Sequence, residues 1–444
     1  MTADQASTAA APSDRARAGR LCTYYVLLVA ETVSLIGSLV SYLAVSIAVF
    51  RQTGHATPLA LVEFFAAVPV IVTGGLAGAL ADRFDRRTMM LLANAGFVVC
   101  SGLLLLAFVS SVFQLWQLYA LSFASAVFAA LQRPAFQASV AMLAPEDRRD
   151  RANALGQMTG PVARMASPAV AGVIFSAVGV VGAIALDIAT FLAAIVVLLV
   201  VRIPRPAETE EGRAFAGSVW RQAFDGFRYL AARPVLLALS GYNAVVTFLT
   251  FGALVLGTPY VLARTGSETT FGLVLSVLNV GAVSGALVMS AWGGRWPRVR
   301  TVFLGFAAAG LFLIFAGVAQ GAVALSAAFF GFAFLIPIVN AAMASIYQAM
   351  VAPDLQGRVF AAIGQVGGLL TPAAFLAAGP LADRVFEPAR GLPGWRVVAW
   401  AVGAGHGAGI GLLFVTGGAL TTLLSLVVYA APTIRRVETP ARKD

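Results

Sequence analysis

The sequence predicts an all-α membrane protein in which twelve transmembrane helices form two pseudo-symmetric bundles of six. Of its 444 residues, 59% are hydrophobic and only 11% are charged, and the mean hydropathy is +0.87. Such a chain cannot cover a water-facing surface with polar groups, so most of it must face lipid. The apolar residues are also grouped into runs long enough to cross a hydrocarbon core of ~30 Å as helices.

Six apolar runs occupy the first half of the chain, and short polar or Gly/Pro-containing segments separate them. The second run contains one ionisable residue, Glu63, and the third contains none, so each can cross the bilayer as a helix. The runs cover residues 21–50, 58–81, 88–109, 116–143, 152–178 and 180–201. They predict a six-helix bundle at 21–201, preceded by a tail at 1–20.

A polar stretch at 202–233 separates these runs from six others. Its apolar residues follow helical spacing, which predicts an amphipathic helix in a cytoplasmic linker. The later runs cover residues 234–256, 271–292, 301–319, 322–349, 359–382 and 408–431. They predict a second six-helix bundle at 234–431, followed by a tail at 432–444.

The basic residues predict the orientation, because cytoplasmic loops of membrane proteins hold an excess of Lys and Arg. With both termini placed in the cytoplasm, 23 of the 30 basic residues fall on inside segments, five fall outside and two fall within spans. A missed span would have scrambled this asymmetry. The net charge of +10 is therefore assigned mainly to orientation against anionic lipid headgroups, and nucleic acid is not an expected partner.

A charged hinge separates the second and third runs. Its two glycines are four residues apart, a spacing that lets a neighbouring helix approach closely. The first aspartate can accept hydrogen bonds from the N-terminus of a facing helix, and the arginines can pair with carboxylates or lipid phosphates or serve as inside anchors. The hinge residues are Gly74, Gly78, Asp82, Arg83, Arg86 and Arg87.

Ionisable residues inside a span are costly, so each of them is a functional hypothesis. Glu31 lies within the first predicted helix, and Glu63 lies in the outer part of the second. Either carboxylate can take up a proton on one face of the membrane and release it on the other. Glu31 is the stronger candidate because its depth keeps it from bulk water, whereas Glu63 can instead be an interfacial residue.

Arg133 and Arg164 are the two basic residues within predicted spans. They can hold an anionic substrate, pair with Glu31, or satisfy backbone carbonyls that are freed at helix kinks. The residues that predict a kink in the fifth helix are Gly160, Pro161 and Pro168. The polar candidates for substrate contact in the second half are Asn243, Asn279 and Asn340.

A segment in the second half, Gly379 to Arg384, repeats the letters of the hinge. The arginine asymmetry places this segment on the outer side, so it is not the same inner switch. Asp383 and Glu387 predict an outer helix cap and a loop anchor instead. The second-half segment on the inner side, Gly293 to Arg300, lacks any acid.

The decapeptide from Gly78 to Arg87 resembles the loop 2–3 signature of the major facilitator superfamily. The twelve runs and the central linker extend this resemblance over nearly the whole chain, most closely to the enterobactin-exporter-like branch of bacterial exporters. The supporting segments are 132–138, 145–155, 186–191 and 379–384. The resemblance implies two six-helix bundles that rock about a central cavity, driven by protons.

The leading functional hypothesis is a monomeric, proton-coupled exporter in a bacterial cytoplasmic (inner) membrane. Its expected substrate is a small amphipathic or anionic compound, such as a siderophore, an antibiotic or another secondary metabolite. Abundant Gly, Ala and Phe favour a plastic, apolar cavity. A lipid or lysolipid flippase of the same fold and a non-transporting membrane sensor are the alternatives. An enzyme is not expected, because no catalytic constellation is present. Cys22 and Cys100 lack metal-ligand spacing, so neither a metal nor a cofactor is expected.

Overall fold

The computed structural model describes residues 14–83, 85–143, 149–201, 227–292, 296–351 and 356–431, and at 14–20, 72–83 and some other positions it describes only the backbone. Within these ranges the protein is helical and contains no strand. Ten of the described segments are long and apolar enough to cross a membrane, and a shorter apolar helix covers Thr57–Ile71. The predicted all-α membrane class is therefore confirmed.

Five helical segments make up the part of the first half that the structure describes. They cover the predicted apolar runs to within one residue, because the bilayer requires unbroken apolar helices of this length. The segments are α1 (Asp14–Thr53), α2 (Thr57–Arg83), α3 (Arg86–Val109), α4 (Leu115–Leu143) and α5 (Arg149–Val200).

The chain reverses direction within α5, at Gly179. A straight helix of 52 residues would extend about 78 Å, far more than one crossing requires. The backbone of Gly179, with φ 66° and ψ −168°, interrupts the helix. On one side the Ser167 hydroxyl oxygen lies 3.4 Å from the Ile36 carbonyl oxygen, and on the other the Ser34 hydroxyl donates to the Thr190 carbonyl (3.1 Å). Both parts of α5 therefore lie against the same level of α1, so they form an antiparallel pair.

Substitution of Gly179 by alanine should lower the melting temperature of the purified protein. The combination of positive φ with extended ψ is strained for any residue with a Cβ, at a cost of about 1–3 kcal/mol. No atom lies within 4 Å of that Cβ, so backbone strain is the whole expected effect. Gly364→Ala is the matched control, because that position is also open but lies inside a helix, where alanine is favoured. Equal melting temperatures of the two variants in detergent would contradict the reversal at Gly179.

Eight helices of at least seven residues make up most of the described part of the second half. They are α6 (Pro234–Leu254), α7 (Gly257–Thr265), α8 (Glu268–Trp292), α9 (Arg298–Val318), α10 (Ala322–Met350), α11 (Gln356–Leu381), α12 (Arg396–Val402) and α13 (Ala408–Ala430). After α11 the chain continues as a π-helical turn, Ala382–Phe386. The short helices α7 and α12 lie outside the predicted runs. In α7, buried Tyr260 donates a hydrogen bond to the Ala316 carbonyl (2.7 Å), so tertiary packing stabilises a helix that is too short to form alone.

Two helix pairs make most of the contacts between the two halves within the described residues: α8 packs on α5, and α11 packs on α2, with a smaller contact between α1 and α7. Glycine residues allow the helices of both pairs to pack closely. A Cβ placed on Gly272 of α8 would overlap the carbonyl oxygen of Pro168, and one placed on Gly379 of α11 would lie 2.6 Å from the Cα atom of Thr57. Arg51, at the end of α1, forms an ion pair with Glu268 at the start of α8.

Candidate functional site

A cavity of about 810 Å³ lies among α1, α2, α3, α4 and α5. Much of its wall consists of apolar side chains and serine hydroxyls. Its ionisable carboxylates and guanidinium groups belong to Glu31, Glu63, Asp187, Arg133 and Arg164. Five such groups around one cavity are unusual within membrane spans, where each charge is costly unless it has a function. The cavity is therefore the candidate functional site.

Glu31 is held by a neighbouring helix. The side-chain amide of Gln132, on α4, donates a hydrogen bond to Oε2 of Glu31 over 2.8 Å. Gln132 is buried, so this contact fixes the position of the carboxyl group in the cavity wall. The predicted alternative partners of Glu31, the two arginines, form no ion pair with it in the part of the chain that the structure describes.

Glu63 also faces the cavity. It lies on α2 and accepts a hydrogen bond from the phenolic hydroxyl of Tyr42 on α1. A residue at the lipid interface would direct its carboxyl group towards water and headgroups instead. The position of Glu63 thus favours a role in the cavity over the interfacial alternative.

Asp187 is the acid that residue-by-residue interpretation of the sequence missed. It lies in the second part of α5 and is only 4% exposed. Ser38 of α1 donates to its Oδ1 atom (2.9 Å), and Ser101 of α3 donates to its Oδ2 atom (2.7 Å). An acid inside an apolar run is itself a signal of function. In the sequence, however, residue 187 was considered only as part of the segment 186–191, which supports the family resemblance.

The two arginines line the same cavity and are solvent-exposed within it. Neither forms an ion pair with a carboxylate among the described residues. The guanidinium group of Arg164 folds over Gly160, where a Cβ would lie 3.1 Å from Nη2. Glycine at this point of the predicted kink therefore leaves space for the cation. Pro161 lines the cavity too, whereas Pro168 lies at the contact between α5 and α8.

The three asparagines predicted in the second half are not brought to this cavity. Asn279 donates to the Leu275 carbonyl of its own helix (2.8 Å). Asn243 is half-buried on α6, with its amide nitrogen facing Gly367 of α11, and Asn340 is exposed on α10. None of the three belongs to the cavity wall, whose described lining residues all come from the first half.

The hinge is only partly within the described structure. Gly74, Gly78, Asp82 and Arg83 belong to α2, but their contacts lie outside the described residues. Arg86 is the first residue of α3. Arg87 donates from Nε to the Leu198 carbonyl (2.7 Å) and from Nη2 to the Leu199 carbonyl (2.6 Å). This guanidinium group therefore caps the C-terminus of α5, where backbone carbonyls have no helical partner.

Asp383 links the two halves at the end of the molecule that the arginine asymmetry assigns to the outside. It follows α11 and accepts hydrogen bonds from the backbone N–H groups of Ala56 (2.9 Å) and Thr57 (2.7 Å) and from the Thr57 hydroxyl (2.6 Å). These groups form the N-terminus of α2, which attracts negative charge. Glu387 accepts from the Ile410 N–H group (3.1 Å) at the start of α13. These hydrogen bonds agree with the predicted helix cap and loop anchor, whose position on the outer side of the membrane stays a prediction.

A multi-pass helical protein with a charged cavity among its spans has the form of a membrane transporter. The chain matches the family described as the Major Facilitator Superfamily over residues 27–372, and it belongs to that superfamily of transporters. Macrolide efflux protein A of Streptococcus pyogenes is 22% identical over 381 residues, which cover 82% of this chain and 90% of that protein. The Enterobactin exporter EntS of Salmonella typhimurium is 26% identical over 337 residues, covering 69% and 78%.

A further relative is the MFS-type transporter YfiS of Bacillus subtilis, 29% identical over 375 residues that cover 80% of this chain and 86% of that protein. Among solved structures, a bacterial homolog of the human lysosomal transporter Spinster, in an inward-facing and unoccupied conformation, superposes with a TM-score of 0.70. It is 17% identical and covers 96% of this chain and 98% of that one. The nucleoside transporter NupG gives a TM-score of 0.67 at 10% identity, covering 92% and 99%. These two likenesses establish a shared fold.

Proposed function

We propose that this protein is a proton-coupled exporter of a small amphipathic or anionic compound, and that it works by alternating access. The observation that carries the proposal is the cavity, where three carboxyl groups and two arginines lie together without an ion pair between them among the described residues. Carboxyl groups that are not held in an ion pair can bind and release protons. Unpaired guanidinium groups can bind an anionic group of a substrate.

The proposed architecture is twelve crossing helices in two bundles of six. Two observations support this count. The reversal at Gly179 divides the long apolar segment Met158–Val200 into two spans, and α2 supplies a further crossing beyond the ten candidate segments. The cytoplasmic position of both termini rests on the arginine asymmetry.

The conformation supports a cavity that faces the cytoplasm. Contacts through Asp383 and through the Arg51–Glu268 ion pair join the halves at the proposed outer end. Alternating access requires such a closed end whenever the substrate site is open to the other side. We therefore assign the described conformation to the inward-open state of the transport cycle.

The proteins to which the chain is similar support the proposed direction of transport and the proposed class of substrate. Two of the proteins to which the chain is similar are called a macrolide efflux protein and an enterobactin exporter. Export of a siderophore, an antibiotic or another secondary metabolite is consistent with both names. The cavity of about 810 Å³ falls within the range of sites for small organic molecules.

Proton release from everted membrane vesicles tests the function. Such vesicles expose the cytoplasmic face, and respiration acidifies their lumen. Addition of a macrolide or of enterobactin should discharge the proton gradient, which a pH-sensitive dye reports. Glu31→Gln should reduce this discharge by about tenfold or more, because glutamine keeps a hydrogen bond to Gln132 but cannot carry a proton.

The matched control is Glu387→Gln, which removes an acid outside the cavity and should leave the discharge intact. Coupling through Glu31 is wrong if Glu31→Gln behaves like the wild type. If neither compound evokes proton release while a spin-labelled phospholipid crosses proteoliposome membranes, the flippase alternative replaces the proposed function.

A further inference from the structure

We infer that Asp187 is a proton-binding site of the transport cycle and that Ser38 adjusts its hydrogen bonds to the two protonation states of this acid. The inference rests on the proposed proton coupling and adds a second acid to Glu31. Asp187 lies on a different helix, α5, and is buried in the wall of the same cavity.

The hydroxyl of Ser38 has two acceptors within reach but only one proton to donate. The Oδ1 atom of Asp187 lies 2.9 Å from its oxygen, and the carbonyl oxygen of Ser34 lies 3.1 Å away. A hydroxyl group can donate one hydrogen bond while it accepts others. Ser38 must therefore choose between Asp187 and the backbone of its own helix.

Both protonation states of Asp187 can be satisfied by that choice. When Asp187 is ionised, Ser38 donates to Oδ1 and Ser101 donates to Oδ2. When Oδ1 carries a proton, that proton can be donated to the Ser38 oxygen, and Ser38 can then donate to the Ser34 carbonyl. The change adds one proton, taken from water in the cavity, and rotates one hydroxyl group. The Asp187 carboxyl group and the hydroxyl groups of Ser38 and Ser101 keep a hydrogen-bond partner in both states, which keeps the cost of the change low.

A purely structural role does not require an acid at this position. An asparagine could accept from one serine in a static network without placing an ionisable group in the membrane, where such groups are costly. An acid is needed where charge must appear and disappear during a cycle. The location in the cavity gives protons a route to and from Asp187.

Several other ionisable groups surround Asp187 and share its environment. The helices that pack around the cavity contribute two further acids, a phenol, a thiol and two cations, and α8 adds one acid that is paired with Arg51. These groups are Glu31 and Tyr42 on α1, Glu63 on α2, Cys100 on α3, Arg133 on α4, Arg164 on α5 and Glu268 on α8. The pH dependence of transport must therefore be compared between variants in which all of these neighbouring ionisable groups are kept.

Two assays on the full-length protein in proteoliposomes separate proton binding from folding. The first measures uphill accumulation of the macrolide or enterobactin, whichever the wild type transports, under a gradient of one pH unit. Each coupled proton then supports about a tenfold concentration ratio, so Asp187→Asn should lower the accumulation about tenfold. The second measures counterflow, an exchange that needs no net proton movement, which should stay within about twofold of the wild type.

Ser38→Ala gives an independent readout. Ionised Asp187 would lose one of its two donors, so the pH of half-maximal transport should move upwards by about one unit. Ser139→Ala is the matched control, because Ser139 is a buried serine on α4 that lies outside the cavity wall and donates to the Ala135 carbonyl of its own helix. Its pH profile should be that of the wild type.

The outcomes distinguish the two proposals. If the wild type does not accumulate substrate under a proton gradient, the proposed function fails. If the wild type is coupled and Asp187→Asn accumulates substrate equally well, only the inference about Asp187 is overturned. Equal loss of accumulation and counterflow in Asp187→Asn would assign the acid a structural role and would also overturn the inference, as would an unchanged pH profile in Ser38→Ala.

Discussion

Replacement of Asp383 by alanine is expected to open the end of the molecule where α2 meets α11 and to slow transport severely. The Asp383 carboxylate accepts three hydrogen bonds there. They come from Thr57, the first residue of α2, and from Ala56, which precedes it. Ala56 has no side-chain oxygen with which to cap this helix, so the cap comes from the other half of the protein. Alanine at position 383 removes all three bonds.

The size of the effect follows from the number and type of these bonds. A hydrogen bond to a charged group contributes about 1.5–3 kcal/mol net, and three bonds to one carboxylate are not fully additive. A loss of about 3 kcal/mol from the closed state alone would change the ratio of closed to open molecules on the order of 100-fold. A transporter that rarely closes this end returns slowly to the state in which its cavity accepts substrate.

Spin-label distances measure this opening directly. Labels at the exposed positions Gln52 and Val397, in a background without Cys22 and Cys100, report the separation of the two halves. In Asp383→Ala the distances should shift to longer values than in the wild type.

Glu387→Ala provides the matched control for the opening. Glu387 follows in the same segment and also receives a backbone hydrogen bond, but its partners, Ile410 and Arg390, belong to its own half. Its loss should leave the distances unchanged. Identical distances in Asp383→Ala and the wild type, or an equal shift in both variants, would refute the role of Asp383 in closing this end.

The second large effect is expected from the two cavity arginines. The double variant Arg133→Gln/Arg164→Gln should reduce transport of an anionic amphipathic dye by about tenfold to 100-fold, because two charge-assisted contacts are lost. A cationic dye of the same size should be transported within about twofold of the wild-type rate or faster. The measurement is export of the two dyes from loaded cells that express each variant.

Arg396→Gln is the control for the arginine pair, because Arg396 is an exposed cation outside the cavity. It should leave the export of both dyes unchanged. A parallel loss of both dyes in the double variant would assign the arginines to the structure of the cavity, and no loss of either dye would exclude them from substrate binding.

The residues that form the candidate site could be predicted from the sequence only in part. Glu31, Glu63, Arg133 and Arg164 stood out because each breaks an apolar run, and the structure places all four at one cavity. Asp187 carried the same signal. Its importance became visible only with Ser38 and Ser101, which are 149 and 86 residues away in the chain.

The three asparagines of the second half were predicted to contact substrate, but the structure does not place them at the cavity. An amide within a span can face a cavity, a neighbouring helix or its own backbone, and the pattern of apolar residues does not distinguish these cases. Asn279 satisfies its amide on the Leu275 carbonyl, one turn earlier in the same helix. Local hydrogen bonds of this kind compete with substrate contacts and leave no trace in composition.

The sequence by itself determined the class of protein, the positions of the apolar helices and the superfamily. A bilayer imposes a fixed thickness and excludes unpaired backbone groups, so length and composition are sufficient to identify spans. Only the tertiary structure decided that five ionisable side chains share one cavity and that Asp383 caps a helix that begins 326 residues earlier. Such contacts depend on how helices pack across long chain separations, and a one-dimensional pattern of polarity does not contain that information.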